Sequence, residues 1–156
     1  MSAIEERLEK LGITLPNAPA PAANYVPFVL SGSELVISGQ LPMTDGAVIH
    51  SGHMGSGADI DIGQAAARLC AINILAQAKT ALGNLERIER CIKLGGFVSC
   101  VADFRDHPKV INGASDLMVE ALGDAGRHAR IAVGVASLPL GALVEVDALF
   151  SVRAAG

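Results

Sequence analysis

Two charged side chains interrupt the apolar end of the chain. Arg130 stands at the threshold of the run Ile131–Ala136, and Glu145 lies inside Leu143–Val152. An arginine at a strand entrance suits bidentate capture of a planar carboxylate, because its guanidinium presents parallel N–H donors. If the two strands pair, both charges converge on one cleft. From pattern alone the plainer reading, a structural Arg–Glu pair, stands ahead. The other reactive residue types carry weaker patterns. His50 and His53 are three apart at a strand end, which places them on opposite faces, so no metal site is expected. His107 precedes Pro108 at a helix start and His128 falls in a loop; both read as solvated structural residues. Cys70, Cys91 and Cys100 are odd in number and lack CxxC spacing, and they read as small buried hydrophobes in a reducing compartment. Gly55-Ser56-Gly57 matches no phosphate-binding fingerprint, and no P-loop, GxGxxG, GxSxG or HExxH motif is present.

The elements that must position these residues follow from periodicity. Residues 2–11 read as a short amphipathic helix, with Ile4, Leu8 and Leu11 at helical spacing. The Pro/Ala/Asn-rich stretch 12–24 reads as an extended connector. Tyr25–Leu30 and Glu34–Ser38 flank the Ser31-Gly32-Ser33 turn as a hairpin, and a third strand is expected over Ala47–His50. Asp59 or Asp61 can cap a long helix over about 61–82 that Gly83 ends. Ile88–Val101 reads as a strand interrupted or bulged at Gly95-Gly96. A second main helix, His107–Leu122, aligns Val110, Ala114, Leu117, Met118 and Ala121 on one face and stops at Gly123. Two strands, Ile131–Ala136 and Leu143–Val152, follow. This order predicts a single α+β domain, a mixed sheet with both main helices on one face.

Composition narrows the function classes. The chain has 156 residues, 51% hydrophobic but only 3% aromatic, and 25 alanines and 17 glycines make it rich in small residues. One domain of this length can bury a core without disulfides or metals. A mean hydropathy of +0.43 raises the question of a membrane. The longest uncharged run, Leu11–Ser33, is broken by four prolines, so no spanning helix is expected. The apolar surplus then points to a subunit interface. A net charge of −4 and the scarcity of aromatics argue against nucleic acid as partner. The acidic start MSAIEERLEKLG has no basic n-region or apolar h-region, and a cytoplasmic protein is expected.

The terminal run resembles a known family. Arg130, Val133, Val135, Leu138-Pro139 and Val144-Glu145-Val146 look like the signature of the RidA family, the YjgF-like proteins also called endoribonuclease L-PSP. Tyr25 before a hairpin, Ser38-Gly39-Gln40-Leu41-Pro42, Leu85-Glu86-Arg87-Ile88 and Asn112 match in the same order, and the resemblance covers residues 20–152.

This resemblance implies a fold like bacillus chorismate mutase, assembled as a homotrimer with clefts between subunits. In the deaminating members a cleft arginine binds the carboxylate of a 2-imino or enamine acid and a glutamate orients the attacking water, giving a 2-keto acid and ammonia. Residue by residue, Arg130 takes the first role and Glu145 the second, while Tyr25, Ser38, Gly39 and Asn112 fall on pocket positions. Read without the family, Ser38 and Gly39 suit hairpin packing, Asn112 a polar helix face, and Tyr25 an interface. The implied chemistry needs no metal or organic cofactor. Three features depart from the deaminating pattern. His128-Ala129-Arg130 replaces Pro-Ala-Arg, Ala132 replaces Cys, and the loop between Asn112 and Arg130 is one residue longer. They mark a divergent subfamily, for which a non-catalytic trimer that binds small carboxylates or protein partners is the alternative. The endoribonuclease activity attributed to some relatives ranks last, because the chain has no basic cluster.

Overall fold

The computed structural model describes residues 2–20 and 23–155. Ser2 opens the first helix, α1 (Ala3–Lys10), with a capping box: its hydroxyl accepts from the Glu5 N–H while the Glu5 carboxylate accepts from the Ser2 N–H. Ile4 and Leu8, one turn apart, are buried. The connector beyond carries no helix or strand over 13–20 and is tied down where Gln77 Nε2 donates to the Pro19 carbonyl at 2.6 Å; Pro21 and Ala22 lie outside the described residues.

β1 (Phe28–Ser31) and β2 (Glu34–Gln40) form the expected hairpin, closed by Gly32 at φ 59°. The strand expected over Ala47–His50 is shorter and lies outside the main sheet. β3 (Met43–Thr44) and β4 (Ala47–Val48) make a two-stranded ribbon, because Asp45 and Gly46 both take positive φ and turn the chain straight back. A second ribbon joins β5 (His53–Met54) to β6 (Gly57–Ala58). Asp59 then caps α2 (Ile60–Leu82), its carboxylate accepting from the Ile62 N–H at 2.9 Å, and Gly83 at φ 72° ends it.

β7 (Ile88–Ser99) leads to α3 (His107–Leu122), and α3 returns the chain to β8 (Ala129–Val135) parallel to β7. β9 (Val144–Val152) closes a five-stranded sheet of order β1-β2-β9-β7-β8. β8 and β9 do not pair, contrary to the convergence the sequence allowed. The crossover through α3 lays β8 at the sheet edge, and β9 returns on the far side of β7. Nor is β7 bulged at its glycines. Its irregularities fall between Ile88 and Arg90 and between Cys91 and Lys93, while Gly95 and Gly96 stay in register with Asp147 and Val146. Those glycines instead admit close neighbours, since a side chain at Gly96 would sit 2.6 Å from Ile111 Cγ1.

Both main helices cover one face of the sheet. Val110, Ala114, Leu117, Met118 and Ala121 of α3 are buried, as their spacing predicts, together with Ala66, Ala67, Ala71 and Ala78 of α2. The small residues let the helices approach: a Cβ on Gly113 of α3 would overlap the Gln64 carbonyl oxygen of α2. In β9, Val144, Val146, Ala148, Phe150 and Val152 point to the helices and are buried; Glu145, Asp147 and Leu149 point to the other face. Among the described residues no helix covers that face, which exposes Val29, Val36, Ile131 and Val133. Among the described residues no helix is long and apolar enough to cross a membrane.

Candidate functional site

Arg130 sits opposite Leu94 of β7, on the helical face of the edge strand. Its side chain lies against α3, with Nη1 donating to Ser115 Oγ at 3.0 Å and Nη2 donating to the Pro108 carbonyl at 3.2 Å. Ser115 Oγ is 2.9 Å from His128 Nε2, and His128 Nδ1 is 2.6 Å from the Gly126 carbonyl. A carbonyl only accepts, so Nδ1 carries the proton, and in the neutral ring Nε2 accepts from the Ser115 hydroxyl. The result is a directed chain in which Arg130 donates to Ser115, Ser115 to His128, and His128 to the backbone. It fixes the guanidinium while leaving three of its five N–H donors unused by these bonds. Asn112 precedes Ser115 by about one helical turn and shares its face. With Asp116, Arg127 and His128, the two line a recess of about 300 Å³ around Arg130. Among the described residues Arg130 has no carboxylate partner within ion-pair distance.

Glu145 belongs to a different neighbourhood. It stands opposite Phe97 on the uncovered face of the sheet and is half-buried. Burial raises its carboxyl above the ordinary glutamate value, and the charge of Asp147, two residues along the same face, adds to the rise. Asp147 is itself raised by burial, opposed by the Gly95 N–H that donates to it at 2.9 Å. Glu145 packs on Gly39: a Cβ there would overlap Oε1 and lie 2.9 Å from Cδ. This contact arises at a bulge in β2, where Ser38 and Gly39 intervene between the Ile37–Ala148 and Gln40–Val146 pairs. Ser38 serves as an anchor, its hydroxyl donating to the Val26 carbonyl at 2.7 Å. Tyr25, one residue earlier, is exposed.

The six residues singled out from sequence therefore divide into two groups. Asn112 and Arg130 share the recess beside α3; Gly39 packs on Glu145 across the sheet, and Ser38 tethers the segment that carries Tyr25. Arg130 and Glu145 leave opposite faces, so the structural Arg–Glu pair does not form within one chain. Sequence reading passed over Ser115, whose only signal is its place three residues after Asn112. It also gave His128 a solvated role, whereas His128 is the far support of Arg130. Of the cysteines, Cys70 and Cys91 are buried as expected, but Cys100 is not fully covered.

The family model for the YjgF/chorismate mutase-like, putative endoribonuclease proteins matches residues 5–152. The chain belongs to this family. Protein TCP17 of Trypanosoma cruzi is 50% identical over 147 residues, covering 94% of this chain and 92% of that one. The YjgF-like fold is also that of the Atu1372 protein from Agrobacterium tumefaciens. Its crystal structure aligns with a TM-score of 0.91 at 53% identity, over 97% of this chain and 93% of the other. The crystal structure of E. coli TdcF, which carries bound serine, aligns with a TM-score of 0.64 at 27% identity, over 88% and 94% of the two chains. The mixed α+β fold is thus shared with solved structures of quite different similarity.

Proposed function

We propose that this YjgF-family chain hydrolyses small 2-imino or enamine acids to 2-keto acids and ammonia, in a cleft that two copies of the chain build together. The observation that carries this reading is the state of Arg130. Its guanidinium is held by Ser115 and the Pro108 carbonyl, keeps donors to spare, and among the described residues has no carboxylate within ion-pair distance, although Asp116 lines the same recess. Such a group is prepared for a small anionic ligand. The serine bound by TdcF, a small molecule with a carboxylate, is of the size and charge class that this reading requires.

Glu145 supplies the second half. Because it leaves the opposite face, it meets Arg130 only if the uncovered face of one copy adjoins the edge strand β8 of another. The exposed Val29, Val36, Ile131 and Val133 give that face the apolar surface of an interface, and a closed homotrimer is the assembly proposed. An iminium carbon is already electrophilic, so catalysis reduces to placing substrate and water and moving protons. In the proposed cycle the Glu145 carboxylate accepts a proton from the attacking water as its oxygen bonds to the imine carbon. The C=N electron pair is now on nitrogen, which takes that proton. The freed Glu145 carboxylate then accepts the remaining hydroxyl proton as the C=O bond forms and the C–N bond breaks, releasing ammonia and the 2-keto acid. A carboxyl raised by burial is better suited to this exchange than an ordinary one.

A second reading, a trimer that binds small carboxylates without turning them over, keeps the Arg130 recess and assigns no chemistry to Glu145. Its support is the separation of the two residues within one chain. To distinguish them, 2-aminoacrylate is generated in situ and keto-acid release is followed. Acceleration by the wild type and not by Arg130→Ala is expected; equal rates in the two leave only the binding reading.

A further inference from the structure

A second pair of reactive side chains, Cys100 and His107, lies between β8 and α3 and lines a separate cavity; His107 is one residue before the Pro108 whose carbonyl anchors Arg130. Cys100 follows the last residue of β7, and its Sγ is 3.5 Å from Nε2 of His107, in the first turn of α3. That is a hydrogen-bond contact between a thiol and the ring nitrogen able to take its proton. The imidazole is held by an edge-to-face contact with Phe104, ring centroids 5.1 Å apart. Both groups line a cavity of about 420 Å³ walled by Val101, Phe104 and Val135, and no Asp, Glu, Lys or Arg contributes to that lining. Gly134 on the facing strand keeps the pair accessible to each other. A Cβ there would lie 2.5 Å from His107 Nε2 and 2.7 Å from Cys100 Sγ. The other two cysteines have no such setting: both are fully buried, and burial pushes their thiols up, that of Cys91 to about 12.

We propose that Cys100 and His107 form a nucleophilic thiol site that captures small, uncharged α,β-unsaturated carbonyl compounds. This site is distinct from the Arg130 recess and independent of the imine-hydrolase reading. The step needs no further reactant. Nε2 takes the thiol proton as sulfur bonds to the β-carbon, the electron pair of the C=C bond moves toward the α-carbon, and the imidazolium returns its proton there. Nothing leaves and nothing is oxidised, so the product is a one-to-one thioether adduct. The uncharged walls select against anionic electrophiles, which the Arg130 recess would favour.

The test uses the native full-length protein and limiting N-ethylmaleimide at pH 7, with adducts located by peptide mass spectrometry. Cys100 is expected to be modified first, with Cys70 and Cys91 spared. His107→Gln should slow modification of Cys100 by about tenfold or more, the scale of losing a positioned base. Gly134→Ala, whose Cβ displaces thiol and imidazole while both residues are retained, should slow it in the same direction. Labelling in denaturant counts three thiols in every variant. If His107→Gln exposes Cys70 and Cys91, the variant has lost its fold and Gly134→Ala decides. Failure of Cys100 to react in the native protein, or equal rates in the wild type and the folded variants, overturns the proposal.

Discussion

Gly39→Ala separates a role in positioning Glu145 from a role in holding the fold. The new Cβ would overlap Glu145 Oε1 and lie 2.9 Å from Cδ and 3.2 Å from Cγ. An ordinary contact is about 3.5 Å or more, so the carboxyl group must swing by more than about 1 Å. The atoms that collide are the free end of a flexible side chain on the uncovered face, with no backbone among the three nearest. Replacing glycine in a strand by alanine also recovers about 0.5–1 kcal/mol of conformational entropy. Stability is therefore expected to change by no more than about 1 kcal/mol, a shift in Tm of about 4 °C or less. Activity should respond on another scale, because a displacement of about 1 Å in a catalytic group costs about 100-fold. The assay is keto-acid release from 2-aminoacrylate generated in situ, alongside thermal unfolding of the same preparation. A folded Gly39→Ala protein with wild-type kcat/KM would rule out a positioning role for Gly39, since Glu145 would then act from anywhere or not at all. A large fall in Tm with activity lost only in proportion to folded protein would make Gly39 a structural residue alone.

Two further outcomes follow from the same geometry. Ser115→Ala removes the acceptor for Arg130 Nη1 and the donor to His128. Losing such a support should weaken substrate binding by about 1 kcal/mol or more, seen as a KM raised about fivefold or more with kcat less affected; an unchanged KM would exclude Ser115 from the site. Glu145 and Asp147 both have carboxyls raised by burial in the folded chain, so folding disfavours their charged forms. Their stability contribution is fully present below the ordinary carboxylate value and declines as pH rises from there through the raised folded values. Glu145→Gln should accordingly lessen this decline. The variant should be more resistant to urea than the wild type at pH 7, with the gap closing near about pH 4. A variant less stable at pH 7 would contradict the assigned cause.

Much of this architecture is legible in the sequence because local signals and tertiary packing agree. Asp59 and Gly83 bound α2 through a side-chain acceptor and a positive φ, and the α3 face marked by Val110, Ala114, Leu117, Met118 and Ala121 is the face that is buried. Alternation in Val144–Val152 correctly separates Glu145 from its core neighbours. What could not be read is which strands lie side by side. The periodicity of the last two strands holds equally whether they pair or flank β7, and that choice decides whether Arg130 and Glu145 meet within one chain. Gly95-Gly96 resembled a bulge because glycine weakens a strand, whereas its use here is to make room for Asp147 and Ile111. Ser115 and His128 gain meaning only when α3 is laid against β8. Cys100 differs from Cys70 and Cys91 only because it sits just past the end of β7, beside His107.

In the proposed enzyme one copy supplies Arg130 and another supplies Glu145 to the same imine-hydrolysing site. Mixing Arg130→Ala and Glu145→Gln subunits tests this directly, because each variant lacks a different half. If the two halves come from neighbouring copies of a trimer, random reassembly of equal amounts leaves about one site in four intact. Keto-acid release should therefore recover to about a quarter of the wild-type rate from two inactive proteins. A mixture with subunits fully exchanged that stays as inactive as its components would contradict the shared site.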